Sequence, residues 1–151
     1  MKKNRFQVFL FIFGVLLFAT SHAQSSSEPV VIPANHPNIS YIGRVSFTNP
    51  ESPCFTYPGI QIRARFQGTS LSMRVKPNSG YFMVEIDKQE PFKVASLEND
   101  SVVLLADNLT DALHDVTISL AYEGYQRRPE FRGFILNSGK TLPEAPVLPQ
   151  R

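Results

Sequence analysis

Tryptophan is absent from the 151 residues, and cysteine occurs once, as Cys54. A lone cysteine excludes an intrachain disulfide, so the fold must be held by its core. Its expected role is that of a small buried apolar residue. Without tryptophan, stacking on a sugar ring would fall to Tyr41, Tyr57, Tyr81, Tyr122 and Tyr125, which weakens the case for an autonomous glycan-binding module. Histidine is scarce: His22, His36 and His114. No cluster of His, Cys, Asp and Glu has metal-ligand spacing, and no cofactor is expected. A calcium site would have to draw on loop carboxylates such as Asp100, Asp107 and Asp111. Nor is one sign of charge in excess. Three of the 15 basic residues are Lys2, Lys3 and Arg5, which leaves 12 against 13 acidic ones. That balance gives no argument for nucleic acid.

Long apolar runs are missing too, apart from residues 8–19. That run is short for a membrane span. It follows Lys2, Lys3 and Arg5 and precedes Ser21-His22-Ala23, with small residues at the −3 and −1 positions. Residues 1–23 are expected to be a secretory signal peptide, cut after Ala23, which sends the chain to the periplasm or the medium. Residues 24–37 are polar, contain proline and read as a flexible lead-in.

What the chain does have is a repeated period of two. Ile60, Ile62, Ala64 and Phe66 alternate with Gln61, Arg63 and Arg65; Leu71, Met73 and Val75 with Ser72, Arg74 and Lys76. The same alternation runs through Phe82, Val84 and Ile86 and through Val116, Ile118 and Leu120. Each such strand buries one face and wets the other. Turn chemistry fills the gaps. Gln67-Gly68-Thr69 is expected to close a short hairpin, Pro77-Asn78-Ser79-Gly80 breaks the next pair, and Asp87-Lys88-Gln89-Glu90 makes another turn. Further strands are expected near 92–95, 102–106 and 131–136. About eight strands and no helix argue for an all-β fold over residues 38–138, an antiparallel β-sandwich or jelly roll. Pro143, Pro146 and Pro149 make residues 139–151 read as a Pro-rich linker.

The catalytic motifs fail on physical grounds. Asn99-Asp100-Ser101 has a partial likeness to the Gly-Asp-Ser nucleophile block of GDSL-type esterases, and Asp111 stands three residues before His114 as their base does. A nucleophile block needs a buried strand before the serine and a glycine at the turn. Here polar residues precede Ser101, and the apolar run follows it. A Gly-x-Ser-x-Gly elbow is absent. The plainer role of His114, at the start of a strand, is to hydrogen-bond a loop carbonyl. The best candidate contact surface is the loop carrying Tyr122, Tyr125, Arg127 and Arg128. Tyr41, Tyr57 and Tyr81 are expected at the rim of the core. Arg63, Arg65, Arg74 and Lys76 are expected on a solvated face, paired with Glu85 and Asp87.

Several landmarks occur in order: Tyr41-x-Gly43-Arg44, Phe47-x-Asn49-Pro50, Phe55-x-Tyr57-Pro58-Gly59-Ile60, Phe66-x-Gly68-x-Ser70-Leu71, Tyr81-Phe82-x-Val84-x-Ile86-Asp87, Leu105-Ala106-Asp107-Asn108-Leu109-x-Asp111, His114-x-Val116 and Phe131-x-Gly133-Phe134. Together they resemble the N-terminal β-sandwich domain of carbohydrate esterase family 2, the acetyl-xylan and acetyl-glucomannan esterases. The resemblance implies a jelly roll that packs against a C-terminal GDSL-type hydrolase domain with a serine nucleophile and a histidine base. It implies plant cell-wall polysaccharide as the substrate of the full-length protein. The segment matching 143–151 leads, in the family, into that hydrolase domain, which this chain does not contain. No catalytic residue is carried over. The chain is expected to be a non-catalytic front domain, a fragment inactive on its own, with an apolar patch near Phe131–Leu136 and the tail where its partner packs. The alternative is a free-standing, exported glycan-binding sandwich.

Overall fold

The computed structural model describes residues 28–144. The leader expected at 1–23 and the linker beyond Glu144 lie outside the described residues. Nine strands form, and no helix occurs among the described residues. They are β1 (Val30–Ile32), β2 (Ser40–Ile42), β3 (Gln61–Gly68), β4 (Leu71–Val75), β5 (Gly80–Ile86), β6 (Phe92–Ser96), β7 (Val102–Ala106), β8 (Ala112–Leu120) and β9 (Phe131–Leu136). They make two antiparallel sheets, one in the order β1-β9-β4-β7 and the other β2-β3-β8-β5-β6.

The alternation read from the sequence sets the burial. Ile62, Ala64 and Phe66 of β3, Val116, Ile118 and Leu120 of β8, and Phe82, Val84 and Ile86 of β5 all point inward. Leu71, Met73 and Val75 of β4, Val103 and Leu105 of β7, and Phe131, Phe134 and Leu136 of β9 meet them in one continuous core. Each large apolar side chain buried there contributes on the order of 1.5–3 kcal/mol.

Three expectations need correction. The lead-in at 24–37 is not wholly outside the sandwich, because Val30–Ile32 pairs with β9, opposite Phe134, Ile135 and Leu136. Gly133 makes that pairing fit: its φ is +114°, and a Cβ would stand 1.9 Å from the Ile32 carbonyl oxygen. The linker also begins later than 139, since Leu142 is buried and its carbonyl accepts from Asn38 Nδ2 at 2.8 Å. Finally, β3 and β4 are not a hairpin. At Gly68-Thr69-Ser70 the chain crosses from one sheet to the other. Asn137 Oδ1 fixes that corner, accepting from the Thr69 and Ser70 amides at 3.0 Å each and from the Thr69 hydroxyl at 3.2 Å.

The turn at Asp87-Lys88 does close a hairpin, between β5 and β6. Both residues have positive φ, and Gln89 N donates to the Ile86 carbonyl at 2.9 Å. That is a type I′ turn, whose twist matches the flanking strands.

Candidate functional site

The loop between β8 and β9 is only partly open. Tyr125 is 78% exposed. Tyr122 instead packs against the core, and its hydroxyl donates to the Ser79 carbonyl at 2.9 Å. The ring lies over Gly80, where a Cβ would stand 2.5 Å from it. Burial raises the Tyr122 pKa, against the smaller opposing effect of the Arg127 charge. Arg127 donates to the Asn78 side chain, and Lys76 Nζ donates to the carbonyls of Arg127 and Arg128 at 2.9 Å each. The loop is tied to the segment before β3 through Gly124 N, which donates to the Thr56 carbonyl at 2.7 Å.

Arg128 reaches a shallow hollow of about 470 Å³ that also holds Arg44, Cys54 and Tyr57. Two expectations fail there. Tyr57 is 50% exposed rather than a residue of the core rim, and Cys54 is half-buried rather than buried. The Arg44 guanidinium lies 5.4 Å from the Tyr57 ring centroid, a cation–π contact that occupies one ring face. Tyr81 is likewise exposed, with Lys93 5.2 Å from its ring centroid.

His114 does bond a loop carbonyl, and it has a second partner. Nε2 lies 2.9 Å from the Thr110 carbonyl and Nδ1 lies 2.6 Å from Asp87 Oδ2. Both partners are acceptors, so the doubly protonated ring satisfies both at once. Burial opposes that charge, but the Thr110 carbonyl and the Asp87 carboxylate outweigh it and raise the His114 pKa. Asp87 moves the other way. Desolvation works against its ionised form, yet His114 and the Asp115 amide hold its pKa below the ordinary value. Asp111 has no part in this, because it pairs with Lys140 at 2.7 Å. Ser101 is remote: its carbonyl accepts from Val75 N, at the far end of β4, whereas His114 pairs with Phe66 near the crossing into β4. Among the described residues, no group of three or more His, Cys, Asp and Glu could hold a metal ion.

The basic face is split between the sheets. Arg63 and Arg65 lie on the five-stranded sheet, and Arg74 on the four-stranded one, with Lys76 just beyond the end of β4. The expected partners are also different. Arg65 makes a two-pronged pair with Asp115 at 2.8 and 2.9 Å, and Lys76 lies 3.6 Å from Glu130. Asp87 is taken by His114.

A groove of about 770 Å³ lies on the outer face of the five-stranded sheet. A polar row crosses its floor on four neighbouring strands: Ser40, Arg63, Thr117 and Glu85 stand opposite one another in register. Asn38 and Glu144 bound it near β2, and Lys88 of the type I′ turn stands at the rim near β5. Period two marked Arg63, Glu85 and Thr117 as outward-facing. It carried no sign that the face is hollow, because the walls come from the lead-in, the tail and a turn.

Residues 41–146 match the family described as Carbohydrate esterase 2 N-terminal. Cellulase/esterase CelE of Acetivibrio thermocellus is 29% identical over 111 residues, which cover 72% of this chain and 13% of that protein. A family two carbohydrate esterase from Cellvibrio japonicus superposes with a TM-score of 0.71 at 25% identity, over 82% of this chain and 37% of that one. The acetyl xylan esterase Est2A from the rumen bacterium Butyrivibrio proteoclasticus shares the fold, with a TM-score of 0.67 at 13% identity over 81% of this chain and 35% of that one. The chain thus spans little more than a third of these solved structures and a smaller share of CelE.

Proposed function

The chain belongs to the carbohydrate esterase 2 N-terminal family, and on that footing we propose that it is the non-catalytic front domain of an exported carbohydrate esterase. The family match carries this reading, because it runs through β2 to β9 and on past Leu142. In this reading the sandwich buttresses a C-terminal GDSL-type hydrolase domain and forms one wall of its cleft. The complete protein removes acetyl groups from plant polysaccharide such as xylan or glucomannan. Residues 1–23 serve as the export signal.

Ester hydrolysis by such enzymes needs a serine within hydrogen-bond reach of a histidine base. The separation of Ser101 from His114 supports a sandwich with no turnover of its own. So does the commitment of both His114 ring nitrogens to Asp87 and Thr110, which leaves neither free to take a proton from a nucleophile.

The coding sequence past the Arg151 codon tests this. The proposal expects an open frame that reaches a strand, a Gly-Asp-Ser block and a distant Asp-x-x-His. A stop codon directly after Arg151 would overturn it in favour of a stand-alone sandwich.

A further inference from the structure

The groove on the five-stranded sheet has a chemistry that the accessory role does not use. Its charged side chains balance: Arg63, Arg65 and Lys88 against Glu85, Asp115 and Glu144. A balanced groove does not select a strongly charged ligand. Arg65 and Asp115 already satisfy each other. That leaves Ser40, Arg63, Thr117 and Glu85 as the floor, alternating hydroxyl, guanidinium, hydroxyl and carboxylate across adjacent strands.

Arg63 can only donate, and an ionised Glu85 can only accept. A ligand that meets both must present donors and acceptors side by side along its length. Neighbouring strands are ~4.8 Å apart, a spacing close to the length of one pyranose ring. Arg63 is also poorly served in the free protein. Its terminal nitrogen bonds Gln61 Oε1, but its buried Nε has no partner among the described residues. An unpaired buried donor is a cost that ends when the guanidinium turns into the groove and meets a ligand oxygen. Ile42, 42% exposed at the β2 edge, adds an apolar surface for a ring face.

We propose that this groove binds a neutral oligosaccharide laid across β2, β3, β8 and β5, its hydroxyl groups bonded to Arg63, Thr117 and Glu85. The inference stands on the groove itself and holds whether or not a hydrolase domain follows. The site is distinct from the Tyr125 loop, which follows the opposite end of β8 from Asp115.

Calorimetric titration of the full chain with cellohexaose, xylohexaose and mannohexaose tests it. At least one should bind with a Kd below about 1 mM, and Arg63→Ala should weaken that binding at least tenfold. Glu85→Gln should weaken it several-fold, and it serves as the second variant if Arg63→Ala unfolds, as thermal melts will show. Amide shifts of Ser40 and Thr117 on adding sugar should place the ligand on the floor. Three results would overturn the proposal: no binding of any of these sugars, loss of binding with Tyr125→Ala but not with Glu85→Gln, or tighter binding of an acidic oligogalacturonate.

Discussion

At the scale of single residues, His114 and Asp87 decide how the sandwich responds to pH. The folded pKa of His114 is raised, so its stabilising share is complete below the ordinary value of about 6.5 and is lost as pH rises through the folded value. The folded pKa of Asp87 is lowered, so its share is complete above about 3.9 and is lost as pH falls through the folded value. The pair therefore contributes most between about pH 4 and 6.5. Urea unfolding of the wild type and Asp87→Asn should differ more at about pH 5.5 than at about pH 8.5; an equal gap at both would contradict the charged pair. Tyr122 offers a second check. Its hydroxyl serves the Ser79 carbonyl, so Tyr122→Phe should cost about 1 kcal/mol in the same assay while the fold is kept. Tyr122 is thereby a structural residue, which its place in a polar loop did not disclose.

Among the elements, the corner between β3 and β4 governs the topology. Asn137, just past β9, accepts three hydrogen bonds there. Asn137→Ala should cost about 2 kcal/mol of stability, because it strands donors that are partly buried. Asn137→Asp keeps an acceptor and should cost less by chemical denaturation. The corner also shows where sequence reading reaches its limit. Alternation over Gln61–Gly68 and Leu71–Val75 reveals which side chains face the core, but both sheets of a sandwich share that core. A strand that crosses to the other sheet has the same pattern as one that folds back beside its neighbour. The accessory strand β1 was hidden for another reason: Val30–Ile32 is too short for its period to show, and it lies between Pro29 and Pro33. By contrast, the Asp87-Lys88 turn was legible because its residue types suit a tight hairpin. The groove was half legible. Arg63 and Glu85 were marked as outward-facing, while the ring of walls around them depends on contacts far apart in the chain.

At the scale of the whole molecule, among the described residues, the apolar surface expected at Phe131–Leu136 is not found there. Phe131, Phe134 and Leu136 are buried. The exposed apolar side chains on the four-stranded sheet are Val31, Val102 and Leu104, with half-buried Ile135 between β1 and β4. Val31, Ile135, Ser72 and Leu104 form one row across its outer face. On the proposed role as a front domain, the sandwich should be prone to self-association through such a row. Sedimentation velocity should show concentration-dependent dimers that Leu104→Glu abolishes; a strict monomer at all concentrations would count against it.

On the proposed role, this sandwich serves a carbohydrate esterase without performing the chemistry. Acetate release from acetylated xylan by the purified chain alone addresses it most directly. Release no greater than in buffer is expected. Release that rises with protein concentration and disappears in His114→Ala would contradict it.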